Sequence, residues 1–221
     1  MLEAAHDAAA RSGVGVGVIV AAHRDRGPRE ASDFARLVAA YAGSGVVGFG
    51  LDGHEAAHPP ALFGDAFAIA REAGLPSVPH AGEFLGAGSV ADAVDLLGAT
   101  RVMHGVRAIE DPALVQRLAR EGVCLHVCPT SNVLMSVVPS MESHPLSALL
   151  SAGVRCSVNA DDPLPFDTDL LREYERCRDV LGVTDEDLAA VARTSIEASA
   201  APPEIVERAL TGIASWLEPT P

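Results

Sequence analysis

The sequence predicts an α/β fold of (β/α)8 TIM-barrel type, incomplete, with about six of the eight βα units present. Three observations predict it. Short apolar runs of strand composition occupy positions 14–21, 45–51, 75–80, 100–104, 123–128 and 154–159. Their first residues lie 31, 30, 25, 23 and 31 positions apart, the spacing of repeated strand–helix units. Polar residues gather where those runs end: Asp52-Gly53, His80, His104, Ser131-Asn132 and Asp161-Asp162. In a barrel such ends ring one common mouth.

Each element has its own signals. The strands read as continuous apolar runs, without polar alternation, which suits a buried parallel sheet. Pro79 removes a ladder donor just before His80, so the third strand should end there. Ser89 with Asp92 resembles a capping box, followed by an apolar stripe at Val90, Ala93, Val94 and Leu97. Asp111-Pro112 should open the next helix and Gly122 close it. Thr184 with Asp187 should open another, and positions 202–217 read as an amphipathic helix. No linker or composition break divides the chain, so it is expected to be one domain over 1–221. Repeated βα units can also wind an open sheet. The first strand is not followed by a glycine-rich phosphate loop, which disfavours the dinucleotide-binding version.

Composition narrows the function. Apolar residues make up 48 % of the 221, enough for a sizeable core. The formal charge of −14 argues against nucleic acid or an anionic membrane as partner. No apolar run approaches the roughly 20 residues that span a bilayer, and no secretory leader is evident. Four cysteines, unevenly placed, do not make a disulfide scaffold, and a reducing cytoplasm is the expected location.

Chemistry concentrates in two stretches, Val-Pro-His-Ala-Gly-Glu at 78–83 and Val-Asn-Ala-Asp-Asp-Pro at 158–163. Imidazole and carboxylate at two strand ends are what one transition metal ion takes as ligands. Glu83 is then free to carry a proton, provided burial raises its pKa. Asp161 and Asp162 would repel each other unless a cation or proton lies between them. Taken singly, His80 with Glu83 also fits a surface loop, His104 a hydrogen-bonded core residue, and Asp161-Asp162-Pro163 a turn. Cys124, His126 and Cys128 share one face of a strand, but three donors on one stiff strand chelate poorly. They read as packing.

Together the motifs resemble the adenosine deaminase family of the amidohydrolase superfamily. The matching stretches are Gly50-Leu51-Asp52-Gly53-His54-Glu55, Pro79-His80-Ala81-Gly82-Glu83, Arg101-Val102-Met103-His104-Gly105, Val127-Cys128-Pro129-Thr130-Ser131-Asn132, His144-Pro145 and Asn159-Ala160-Asp161-Asp162-Pro163. The resemblance implies a barrel holding one Zn2+. It implies that His80 and Asp161 are metal ligands, that Glu83 gives a proton to the purine ring nitrogen, and that His104 orients the attacking water. Asp162 and the backbone N–H of Gly53 would bind the substrate.

The sequence departs from the family at one point. The family carries a His-x-His pair at its first barrel strand, and no His-x-His occurs here. The six strands then correspond to the family's third to eighth. The chain is expected to be an N-terminally shortened version of a larger enzyme, with two further His ligands upstream of Met1. An incomplete barrel would expose sheet edges. A dimer that covers them would fit, although nothing in the sequence specifies one. The expected activity is zinc-dependent deamination of an aminopurine nucleoside, adenosine or deoxyadenosine by default. Adenine or 6-aminodeoxyfutalosine is the alternative. A non-catalytic, purine-binding relic is the competing reading from another class.

Overall fold

All six predicted strands form, and they pair in chain order as one parallel sheet. The computed structural model describes residues 2–218. Its elements run α1 (Leu2–Ser12), β1 (Val18–His23), α2 (Gly27–Ala39), β2 (Val46–Asp52), α3 (Gly64–Glu72), β3 (Ser77–Ala81), α4 (Ala87–Leu97), β4 (Arg101–His104) and α5 (Pro112–Glu121). They continue through β5 (Cys124–Val127), α6 (Pro129–Leu134), α7 (Leu146–Ser151), β6 (Arg155–Val158), α8 (Pro163–Phe166), α9 (Leu170–Asp179), α10 (Asp185–Glu197) and α11 (Pro203–Trp216). Among the described residues β1 and β6 do not pair, so the barrel is open. Ile19 on the β1 edge is 37 % exposed as a result.

Local chemistry explains most boundaries. Asp111 caps α5, its carboxylate accepting from Ala113 N at 2.9 Å and Leu114 N at 3.3 Å. Gly122 ends that helix in the left-handed region at φ +70°. Thr184 Oγ1 accepts from Asp187 N at 3.1 Å and opens α10. The expected capping box at Ser89 does not form. Gly86 is the cap residue of α4, and the Ser89 hydroxyl donates to Glu55 instead. A buried carboxylate within reach competed successfully for that hydroxyl. Helices α6 to α8 span only 4 to 6 residues, too short for periodicity to register.

Two apolar clusters carry the packing. One lies between β1, β2, α2 and α3, around Phe49, Phe63 and Phe67. Phe49 and Phe67 meet edge to face at 5.0 Å. The other joins β3 to β6 with the helices that follow them, around Val102, Leu118, Leu125 and Leu149. No helix among the described residues is long and apolar enough to cross a membrane.

Candidate active site

Parallel strands in chain order bring their C-terminal ends to one rim, and the register aligns the polar residues there. Ala81 pairs with His104, and Val127 pairs with Val158. His80 and His104 are consequently neighbours, with ring centroids 5.3 Å apart. His104 Nε2 lies 3.7 Å from Glu83 Oε1 and 3.8 Å from Asp161 Oδ2. Four predicted site residues, His80, Glu83, His104 and Asp161, thus converge.

Their backbones are unusual. His104 and Asp161 sit at φ +60° and +57°, a region that residues with a Cβ avoid. Strain of ~1 kcal/mol or more at each position is held by the surrounding fold. Gly82, at φ +64°, turns the chain between His80 and Glu83, and a Cβ there would lie 2.2 Å from Val90 Cγ2. Only glycine fits this turn.

His80 is oriented from behind. Its Nδ1 donates to Leu51 O at 3.0 Å, which leaves Nε2 bare. Arg24, fully buried, donates to the carbonyls of His80 and His58 at 2.5 and 2.6 Å and clamps the end of β3. Burial lowers the His80 pKa despite the Leu51 carbonyl and the charge of Asp161. His104 is buried at 2 % exposure, and desolvation holds its pKa down to about 3, so the ring is neutral.

Glu83 behaves oppositely. Desolvation first, and then the charges of Asp161 and Glu55, push its pKa up to about 7. Glu55 itself is almost fully buried and stays ionised. Burial opposes its charge, but the Ser89 hydroxyl and the backbone amides of Leu85, Gly82 and Phe84 outweigh that and lower its pKa.

The remaining predictions fare differently. Gly53 ends β2 at φ +96°, where a Cβ would crowd the His23 ring at 3.1 Å. Asp162 is exposed and stands just before α8 as its cap residue. Of the strand-borne trio, Cys128 separates from its neighbours. Its Sγ joins His104 and Asp161 in a set of donor atoms all within 4.8 Å of one another. His126 is buried without a partner for Nε2. All four cysteines are free and buried.

The sequence gives no role to Arg24, Glu55, Asn132 or His144, although Asn132 stands among its strand-end polar residues. The last three stand in the quoted motifs, but side chains that hold other side chains carry no spacing signal of their own. Asn132 lies between His104 and His144, and α6 that carries it is pinned by Glu173 accepting from Thr130 N at 3.0 Å.

Fold and site together define a parallel α/β barrel protein with one polar centre at its strand ends. The sequence profile of the family described as adenosine deaminase matches residues 1–216, and the chain belongs to that family. A Streptomyces coelicolor protein, assigned provisionally as an adenosine/adenine deaminase, is 46 % identical over 217 residues, 98 % of this chain and 63 % of its own length. The crystal structure of adenine deaminase from Arthrobacter aurescens is similar at TM-score 0.90 and 34 % identity, covering 97 % of this chain and 65 % of that one. A Burkholderia ambifaria amidohydrolase solved with bound Zn is similar at TM-score 0.88 and 30 % identity, over 96 % of this chain and 59 % of that one. The chain therefore spans just under two thirds of the length of the curated relatives it matches.

Proposed function

We propose that this chain carries the metal-assisted centre for hydrolytic deamination of an aminopurine, with adenine as substrate in place of the adenosine expected from sequence. The observation that carries the reaction is the convergence of two neutral imidazoles, one carboxylate and one carboxyl group near pH 7. The choice of adenine is supported by the name of the Arthrobacter relative, at 34 % identity. We read the chain as one partial barrel domain, equivalent to strands three to eight of the family's barrel. A cytoplasmic location is consistent with four free, buried thiols.

The donors suit a zinc ion. His80 offers a bare Nε2 because Leu51 O holds Nδ1, and the charge of Asp161 reaches His80. These two residues would hold the ion, which when bound supplies Lewis acidity and lowers the pKa of water to about 7. Two protein donors hold zinc less firmly than the usual four. Dialysed protein should therefore retain well below one zinc per chain. Retention of one full equivalent after dialysis would contradict this donor count.

The chain's own groups supply the rest. Glu83, protonated near neutrality, is placed to give its proton to the purine ring nitrogen. Water adds to the amino-bearing carbon as that nitrogen is protonated, the C–N bond then breaks, and ammonia leaves. His104 directs Nε2 at the same space. Asp162 and the Gly53 N–H are proposed substrate contacts.

The test is ammonia release from adenine, adenosine and deoxyadenosine across a zinc titration. Activity should appear on adenine as zinc rises. Glu83→Gln should lower it about 10²- to 10⁴-fold. No release from any of the three substrates, or undiminished release by the variant, would end the proposal. The same variant has a second signature in the metal-free protein. Because folding raises the Glu83 pKa, its contribution to stability is present below the unfolded value and lost as pH rises through about 7. Glu83→Gln should thus raise the Tm at pH 8 and not at pH 5.

A further inference from the structure

One backbone amide sets the direction of a hydrogen-bond chain that ends at the reacting centre. Leu146 N lies 3.2 Å from His144 Nδ1. His144 Nε2 lies 3.1 Å from Asn132 Oδ1, and Asn132 Nδ2 lies 3.2 Å from His104 Nδ1. Asn132, His104 and His144 are 0 %, 2 % and 5 % exposed, so bulk water does not relieve a mismatch.

An amide N–H only donates. His144 Nδ1 must therefore accept, and the His144 proton resides on Nε2. That N–H needs an acceptor, so Asn132 turns its oxygen toward His144 and its NH2 group toward His104. The NH2 group donates, so His104 Nδ1 is bare and the His104 proton is on Nε2. The reversed amide would face its NH2 group with the N–H of His144, donor against donor. Burial holds His144 at about 4, and its charged form would also oppose Leu146 N–H with a second donor.

We propose that Asn132 and His144 are positioning residues that lock His104 in the Nε2–H tautomer, making His104 a hydrogen-bond donor at the site and not a proton acceptor. The meaning of this lock for catalysis rests on the deaminase reading; the lock itself does not. With Nε2 protonated and the ring neutral, His104 presents an N–H to the space bounded by Glu83 Oε1 and Asp161 Oδ2, which lie 3.7 and 3.8 Å from Nε2. A side-chain amide is neutral at every relevant pH, so the tautomer set this way does not depend on pH across the working range.

The test is a long-range 1H–15N NMR spectrum of the metal-free 221-residue chain labelled with 15N-histidine. His104 and His144 should each show one protonated Nε2 and one bare Nδ1. Asn132→Asp replaces the donor with a carboxylate, and His104 Nδ1 should become protonated. His144→Phe removes the group that orients Asn132, and the two His104 tautomers should mix. A purely structural role for Asn132 would leave the His104 ring signals in place. A His104 ring found as Nδ1–H or as an average in the unsubstituted chain overturns the proposal, as does a spectrum unchanged by both variants. The unsubstituted spectrum decides even where a variant does not fold. The measurement needs neither zinc nor turnover. The expected tautomer without ammonia release would defeat the deaminase reading alone.

Discussion

Glu55→Ala should destabilise the chain by ~4 kcal/mol. The reason is the number of donors on one carboxylate. Gly82 N reaches Oε1 at 2.6 Å, while Phe84 N, Leu85 N and Glu83 N reach Oε2 at 2.8, 3.1 and 3.2 Å. The Ser89 hydroxyl donates to Oε1 as well. Alanine leaves four amides and a hydroxyl without this acceptor. Each donor stranded in a buried position costs ~1–3 kcal/mol, reduced where the loop relaxes toward water. Glu55→Gln should also destabilise, since its NH2 group faces donors. Because whole domains are stable by only ~5–15 kcal/mol, the loss should be plain in urea unfolding. The midpoint should fall with the slope unchanged, and amide exchange at 82–85 should accelerate ahead of the rest. An unchanged midpoint would show that the carboxylate holds nothing.

Acid should unfold the metal-free chain near pH 5, before ordinary carboxylates are protonated. Desolvation lowers the pKa of three buried imidazoles, His104 to about 3, His126 to about 4 and His144 to about 4. Their unfolded values lie near 6.5, so between there and about 4 the unfolded chain binds more protons. Stability therefore falls as pH falls through this window. Glu83 has the opposite sign, because its raised pKa lets the folded state hold a proton between the ordinary value of 4.5 and about 7. Three imidazoles against one carboxyl leave a net loss of ~3 kcal/mol per pH unit. A drop of one and a half units then removes ~4 kcal/mol, much of a typical domain's stability. Circular dichroism against pH, with chelator present, measures this. A folded chain at pH 4 would contradict the buried, neutral state of these rings.

Much of the site was legible in the residue order. His80 stands in β3, which runs past Pro79 to Ala81 because the sheet continues to pair there, Glu83 follows it, His104 ends β4 and Asp161 follows β6. Ends of consecutive parallel strands meet at one rim whatever the details of packing. The capping pattern at Ser89 fails because it competes with any buried acceptor within reach, and Glu55, 34 positions away in sequence, is one. Cys128 read as strand packing, yet its neighbours in space are His104 and Asp161.

The amino-acid order alone determined the six βα repeats, the family, and which imidazoles and carboxylates gather at the strand ends. These follow from apolar runs, turn residues and motifs that are local along the chain. The tertiary structure alone decided which proton each group holds. Burial, four amides gathered on Glu55, and an amide at Leu146 acting through His144 and Asn132 all depend on residues distant in sequence. Electrostatic and hydrogen-bond energies depend on separation in space, and only folding sets that separation.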